Sequence, residues 1–64
     1  MDLTPREEAI INLLCYDKTI IEIAKTLRLS TSTIEKQIRY LKDFYNVNTL
    51  TGLVYKYLKS CYQN

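Results

Sequence analysis

Histidine is absent from this 64-residue sequence, and glycine and proline occur once each. Without histidine there is no Ser–His or Cys–His catalytic pair, and no zinc site built on imidazole. A single Gly and a single Pro are too few turn residues for a hairpin-rich all-β fold, and they leave no Gly-rich phosphate loop. The two cysteines, Cys15 and Cys61, fit no metal or redox spacing. They read either as a disulfide-capable pair in a secreted mini-protein or as reduced, mostly buried thiols in a cytosolic protein, and the second reading is the simpler. No apolar run approaches the ~18 residues that a membrane span needs. Asp2, Glu7 and Glu8 stand where a secretory signal would be basic and then apolar. Neither clustered carboxylates nor a cofactor motif is present, so the sequence predicts no enzyme, no cofactor and no metal.

What remains is a globular balance. Hydrophobic residues make up 47% and charged residues 25%, which is more apolar than disordered chains allow. Nine Lys and Arg against seven Asp and Glu give a formal charge of +2, a mild bias toward a polyanionic partner. The length predicts one domain over residues 1–64, marginal in stability because so short a chain buries only about 60% of its unfolded surface.

Capping signatures divide the chain. Thr4-Pro5-Arg6-Glu7 places Thr at the N-cap, Pro at the first helical position and Glu three residues on, where each end satisfies the other's amide. With Ala9, Ile10, Leu13 and Leu14 at helical spacing, this predicts a helix over 5–15. Thr19-Ile20-Ile21-Glu22 repeats the box and opens a short helix over 20–27, with Ile20, Ile23, Ala24 and Leu27 inward. Ala24, small and mid-helix, lets another helix cross closely. Asp17 between these helices suits a left-handed turn less well than Gly would. Ser30 can cap the amide of Thr33, while Ser32-Thr33-Ile34-Glu35 offers a competing box. Ile34, Ile38, Leu41 and Tyr45 then mark a third helix over 31–45. After Asn46-Val47-Asn48, with Val47 inward, Thr49 caps a fourth helix over 50–61, lined by Leu50, Leu53, Val54, Tyr57, Leu58 and Cys61. The expected architecture is all-α: a compact four-helix domain in which helices two and three, about 19–45, form a helix-turn-helix.

The residues resemble a family. Leu3-Thr4-Pro5-Arg6-Glu7 is similar to the L-T-x-R-E opening of LuxR-type (NarL/FixJ-like) DNA-binding domains. Glu22-Ile23-Ala24, with Leu27, Leu29 and Ser30 after it, resembles their E-I-A…L-x-(I/L)-S stretch. Ser30-x-x-Thr33-Ile34 resembles their S-x-x-T-V, and Val47 matches the apolar residue before the last helix. The likeness runs from residue 3 to about 58. It departs at five places: the family's Gly is Asp17, its Lys after T-V is Glu35, its His is Gln37, its late Lys is Phe44, and its Arg opening the fourth helix is Leu50. Four of these five remove a positive or potentially positive group.

With Ile34, Ile38, Leu41 and Tyr45 inward, Ser32, Lys36, Arg39 and Asp43 point most directly outward, with Glu35 and Tyr40 on the flanks. A recognition helix enters the major groove by its N-terminal part. The predicted base-contacting residues are therefore Ser32, Glu35, Lys36 and Arg39; Lys and Arg suit guanine O6 and N7, and Glu can accept from cytosine N4. The resemblance implies base contacts at the positions of Glu35, Lys36 and Arg39. The plain alternative is a solvated face in which Glu35 and Arg39 form an i, i+4 pair. Thr19, Thr31 and Thr33, with Lys18 and Lys42 nearby, are the predicted phosphate contacts, because exposed amides and hydroxyls at helix starts favour anions.

Tyr55 and Tyr62 are seven residues apart and share a face of the fourth helix, with Leu58 on its border. They read as an interface or as rings lying flat over the domain with wet hydroxyls. The resemblance implies a homodimer through this helix. It also implies a cytoplasmic, sequence-specific double-stranded-DNA binder in transcription regulation, such as a response regulator output domain. No membrane or small-molecule partner is expected. The competing expectation, from Glu35, Phe44, Leu50 and the low net charge, is a helix-turn-helix fold kept as a protein-interaction or dimerisation module that has lost DNA binding.

Overall fold

Each helix of this protein is started by a hydroxyl. In the computed structural model, which describes residues 3–62 (Tyr62 by its backbone alone), the helices are α1 (Pro5–Cys15), α2 (Ile20–Leu27), α3 (Thr31–Tyr45) and α4 (Leu50–Tyr62). Thr4 Oγ accepts from the Glu7 amide at 3.1 Å while Glu7 accepts from the Thr4 amide at 2.9 Å. Thr19 and Glu22 do the same at 3.2 and 2.9 Å. At α3 the competition is settled for Ser30, whose Oγ accepts from Thr33 N–H at 3.1 Å. Thr49 accepts from Gly52 N–H at 3.0 Å to begin α4. Such caps stabilise a helix by about 1 kcal/mol each.

The helix ends are also alike, and here glycine is not used. Asp17, Arg28 and Asn46 all take left-handed backbone, with φ of 64°, 58° and 56°. In each case the next amide reaches back five residues: Lys18 N–H to Leu13 at 3.1 Å, Leu29 N–H to Ala24 at 2.9 Å, and Val47 N–H to Lys42 at 2.9 Å. This is the Schellman ending, which satisfies carbonyls the helix leaves unpaired. Leu29 and Val47 then pack against the core, as its apolar contact requires. The one glycine serves elsewhere. A Cβ at Gly52 would stand 3.2 Å from Thr49 Oγ and 3.4 Å from Val47 Cβ, so the α3–α4 turn closes tightly over that position.

Ile10, Ile11, Ile23, Ala24, Ile34, Ile38, Leu41 and Leu53 form the buried core. Ile11 was not among the residues expected inside. It is buried because α1 packs against α2, α3 and α4 at once, so its apolar arc is wider than one stripe. Leu13, Leu14, Leu27 and Val47 lie at the core's margin, half-buried, and Val54 is also half-buried. The fourth helix departs most from expectation. Leu50 and Leu58, placed inward by spacing, are 40% and 37% exposed, and Cys61 is exposed. Among the described side chains of α4 only Leu53 is fully buried, since α4 rests on the others along a narrow strip. Tyr57 turns its ring inward and donates its hydroxyl to Asn12 Oδ1 at 3.1 Å, a cross-link from α4 to α1. Its partial burial, with the Cys61 thiol nearby, pushes the phenol up to about 12. Cys15 and Cys61 are free thiols; Cys15 is half-buried, and that burial raises its pKa.

Ala24 is 5% exposed where α2 packs on α3. Ala24→Leu should overpack this crossing and cost roughly 1–3 kcal/mol, read as a lower melting temperature; an unchanged one would place the crossing elsewhere. Arg28→Gly should have the opposite sign. It relieves a side chain of its left-handed strain and should stabilise by about 1 kcal/mol, raising the melting temperature by about 4–8 °C. Thermal denaturation of the two variants side by side tests both.

Candidate nucleic-acid interface

The α2–α3 unit is a helix-turn-helix joined by Arg28-Leu29-Ser30. Because Ile34, Ile38 and Leu41 are buried, the opposite face of α3 is turned to solvent. Ser32, Glu35, Lys36, Arg39 and Asp43 are all exposed, and Tyr40 is 47% exposed on one flank. Lys36 and Arg39 stand one turn apart, so both can reach into the same groove of a duplex. On the far flank Tyr40 stacks on Phe44 (centroids 6.3 Å apart), and Phe44 meets Tyr45 edge-on at 4.9 Å. This aromatic row stiffens the second half of α3 and occupies the position where the resemblance placed a Lys.

The near flank is concave. Glu35, Ile38, Arg39 and Lys42 of α3 line a shallow groove with Ile20 of α2 and Leu50 of α4. Three predicted contact residues, Glu35, Arg39 and Lys42, are thus brought together beside an apolar wall. Lys42 is half-buried there. Lys18 is not part of this groove. It lines a neighbouring one with Leu14, Asp17, Leu50, Thr51 and Val54, and Leu50 is the ridge between the two. No sequence signal pointed to Leu50 or Ile20 as groove residues, because the contact joins α2, α3 and α4, whose approach no local spacing encodes.

The helix starts differ in what they offer an anion. At α2 the Glu22 carboxylate already sits on the N-cap amide, and the hydrogen bond from the Thr19 backbone holds its pKa below the usual carboxylate range. Thr19 Oγ accepts from Glu22 N–H, which leaves its own proton free to donate. At α3 and α4 the third residue is Thr33 or Gly52, and no carboxylate closes the end. Thr33 and Ser30 share a hydroxyl–hydroxyl bond of 2.9 Å, and Thr31 is exposed beside them. Positive dipole ends without a resident carboxylate are the better hosts for a phosphate.

On α4, Tyr55 is 60% exposed and shares an outward face with Leu58. Lys59 Nζ lies 5.7 Å from the Tyr55 ring centroid, over its face. The Tyr62 side chain lies outside the described residues. Among the described residues, no helix is long and apolar enough to cross a membrane.

No curated protein and no solved structure gives a significant match to this chain. A family model does: the GerE model, described as bacterial regulatory proteins of the luxR family, matches residues 1–56. That span takes in α1, the whole helix-turn-helix and the first half of α4. The exposed face of α3, the short turn that sets it, and a match over most of the chain agree: the protein belongs to the luxR family of bacterial regulatory proteins and carries its DNA-binding helix-turn-helix domain.

Proposed function

We propose that residues 1–64 act as one domain that reads double-stranded DNA in a sequence-specific way and regulates transcription in the cytoplasm, with no chemistry of its own. The observation that carries this reading is the outward face of α3, on which Lys36 and Arg39 project one turn apart opposite a fully apolar buried stripe. In this reading α3 lies in the major groove. Lys36 and Arg39 take guanine edges, Glu35 takes cytosine N4, and Ser32 reaches a base near the entering end. Phosphates are held by Thr31 and Thr33 at the open start of α3, by the free hydroxyl proton of Thr19, and by Lys18 and Lys42 on either side of Leu50. A second copy joins through α4, where Tyr55 and Leu58 offer the exposed apolar contact and Tyr62, seven residues after Tyr55 in sequence, is the third interface residue of this reading.

A second reading keeps the fold and discards the DNA. It is favoured by the exposed, apolar Leu50 and by the carboxylate of Glu35, both bordering the reading face. Titration of the folded protein with random-sequence duplex at low salt separates the two: absence of any salt-dependent affinity gives precedence to the interaction module.

Three further outcomes are expected. Arg39→Ala should cost about 1–3 kcal/mol of binding and relax preference at one base position. Glu35→Lys should raise non-specific affinity and steepen the dependence of log K on log salt by about one unit; if Glu35 accepts from a cytosine, the preferred site weakens at the same time. The reading face is misassigned if neither substitution changes affinity for any duplex. Tyr55→Asp should yield a monomer of unchanged helical content, because a two-fold contact sets the new charge against itself. Sedimentation that finds the wild type monomeric both free and on DNA would remove the α4 interface.

A further inference from the structure

The groove beside α3 holds an arrangement that the cations alone do not account for. Leu50 opens α4 and is 40% exposed, yet it projects beside Arg39 and Glu35, at the edge of the face that meets the duplex. Ile20, half-buried at the start of α2, forms the wall with it. A polyanionic backbone gains nothing from such a surface, whereas an apolar side chain brought against DNA is stabilised by meeting an apolar group. The major-groove edge of B-DNA presents one such group, the 5-methyl of thymine. Arg39 and Leu50 line the same groove, so a base edge and a neighbouring methyl can be engaged together.

We propose that Leu50, backed by Ile20, is a specificity-determining contact for a thymine methyl next to the base read by Arg39. The inference rests on the DNA-reading function above and adds a base preference to it. It locates part of the sequence discrimination on α4, outside the recognition helix. It also explains how a face with few cations gains selectivity: the apolar contact favours one base without adding affinity for every phosphate.

The test uses a duplex selected by the wild-type chain from a random-sequence pool, synthesised once with thymine and once with deoxyuridine at every thymine position. The two differ in their methyl groups and keep the same pairing edges. The wild type should prefer the thymine duplex by about fourfold per contacted methyl, the effect of burying one such group. Leu50→Ser should bind both duplexes at the weaker level, and Leu50→Met should keep the preference; circular dichroism confirms that both are folded. Equal wild-type affinity for the two duplexes overturns the proposal and leaves the DNA-reading function standing. It is also overturned if the preference survives in Leu50→Ser, which puts the methyl contact elsewhere, or if that substitution weakens both duplexes alike, which makes Leu50 a backbone contact. Failure to bind any duplex overturns the DNA-reading function and this inference with it.

Discussion

One short turn orients the outward face of α3. Leu29 N–H bonds the Ala24 carbonyl at 2.9 Å, and the left-handed Arg28 makes that reach possible. Ala24 contributes twice, because its small side chain is buried where α2 packs on α3 while its carbonyl ties down the turn. Two residues after Arg28, Ser30 caps α3. The direction of α3 follows from these local bonds, and so does the set of side chains it presents. A larger residue at 24 or a slack turn at 28 would rotate Arg39 and Lys36 together, since they ride on one rigid helix.

The outward face is modest in charge. Lys36, Arg39 and Lys42 are offset by Glu35 and Asp43 on the same helix. Affinity drawn from phosphate neutralisation grows with the number of cations engaged, so a face like this relies more on what it meets at the base edges. Beside it lie the apolar wall of Ile20 and Leu50 and the helix starts of α3 and α4 that no carboxylate closes, the two features on which the proposed reading draws. Both stand next to α3, at a place where separate helices converge.

Stability has a similar economy. Three left-handed residues, none of them Gly, end three helices, and each costs about 1–2 kcal/mol of backbone strain where the side chain is not Asn or Asp. Asp17 and Asn46 bear this better than Arg28, because their short polar side chains tolerate the left-handed region. The lone Gly52 instead admits Val47 and Thr49 at close range, so it tightens the α3–α4 turn and leaves the helix ends to other residues.

Helix limits, the caps of all four helices and the outward set on α3 are legible in the sequence, because each depends on bonds or spacings within a few residues. Thr4–Glu7, Thr19–Glu22, Ser30–Thr33 and the 34/38/41 stripe are of this kind. The left-handed Arg28 and Asn46 were not signalled, since neither is the glycine that usually marks such an end. Burial of Ile11, exposure of Leu50, Leu58 and Cys61, and the Tyr57–Asn12 hydrogen bond were decided by tertiary structure alone. Each depends on how many helices crowd a given face, and periodicity along one helix carries no information about its neighbours. The groove that joins Arg39 to Leu50 belongs to the same class: its residues are 11 positions apart in sequence and meet through the turn at 46–49 and the packing of α4 on α3.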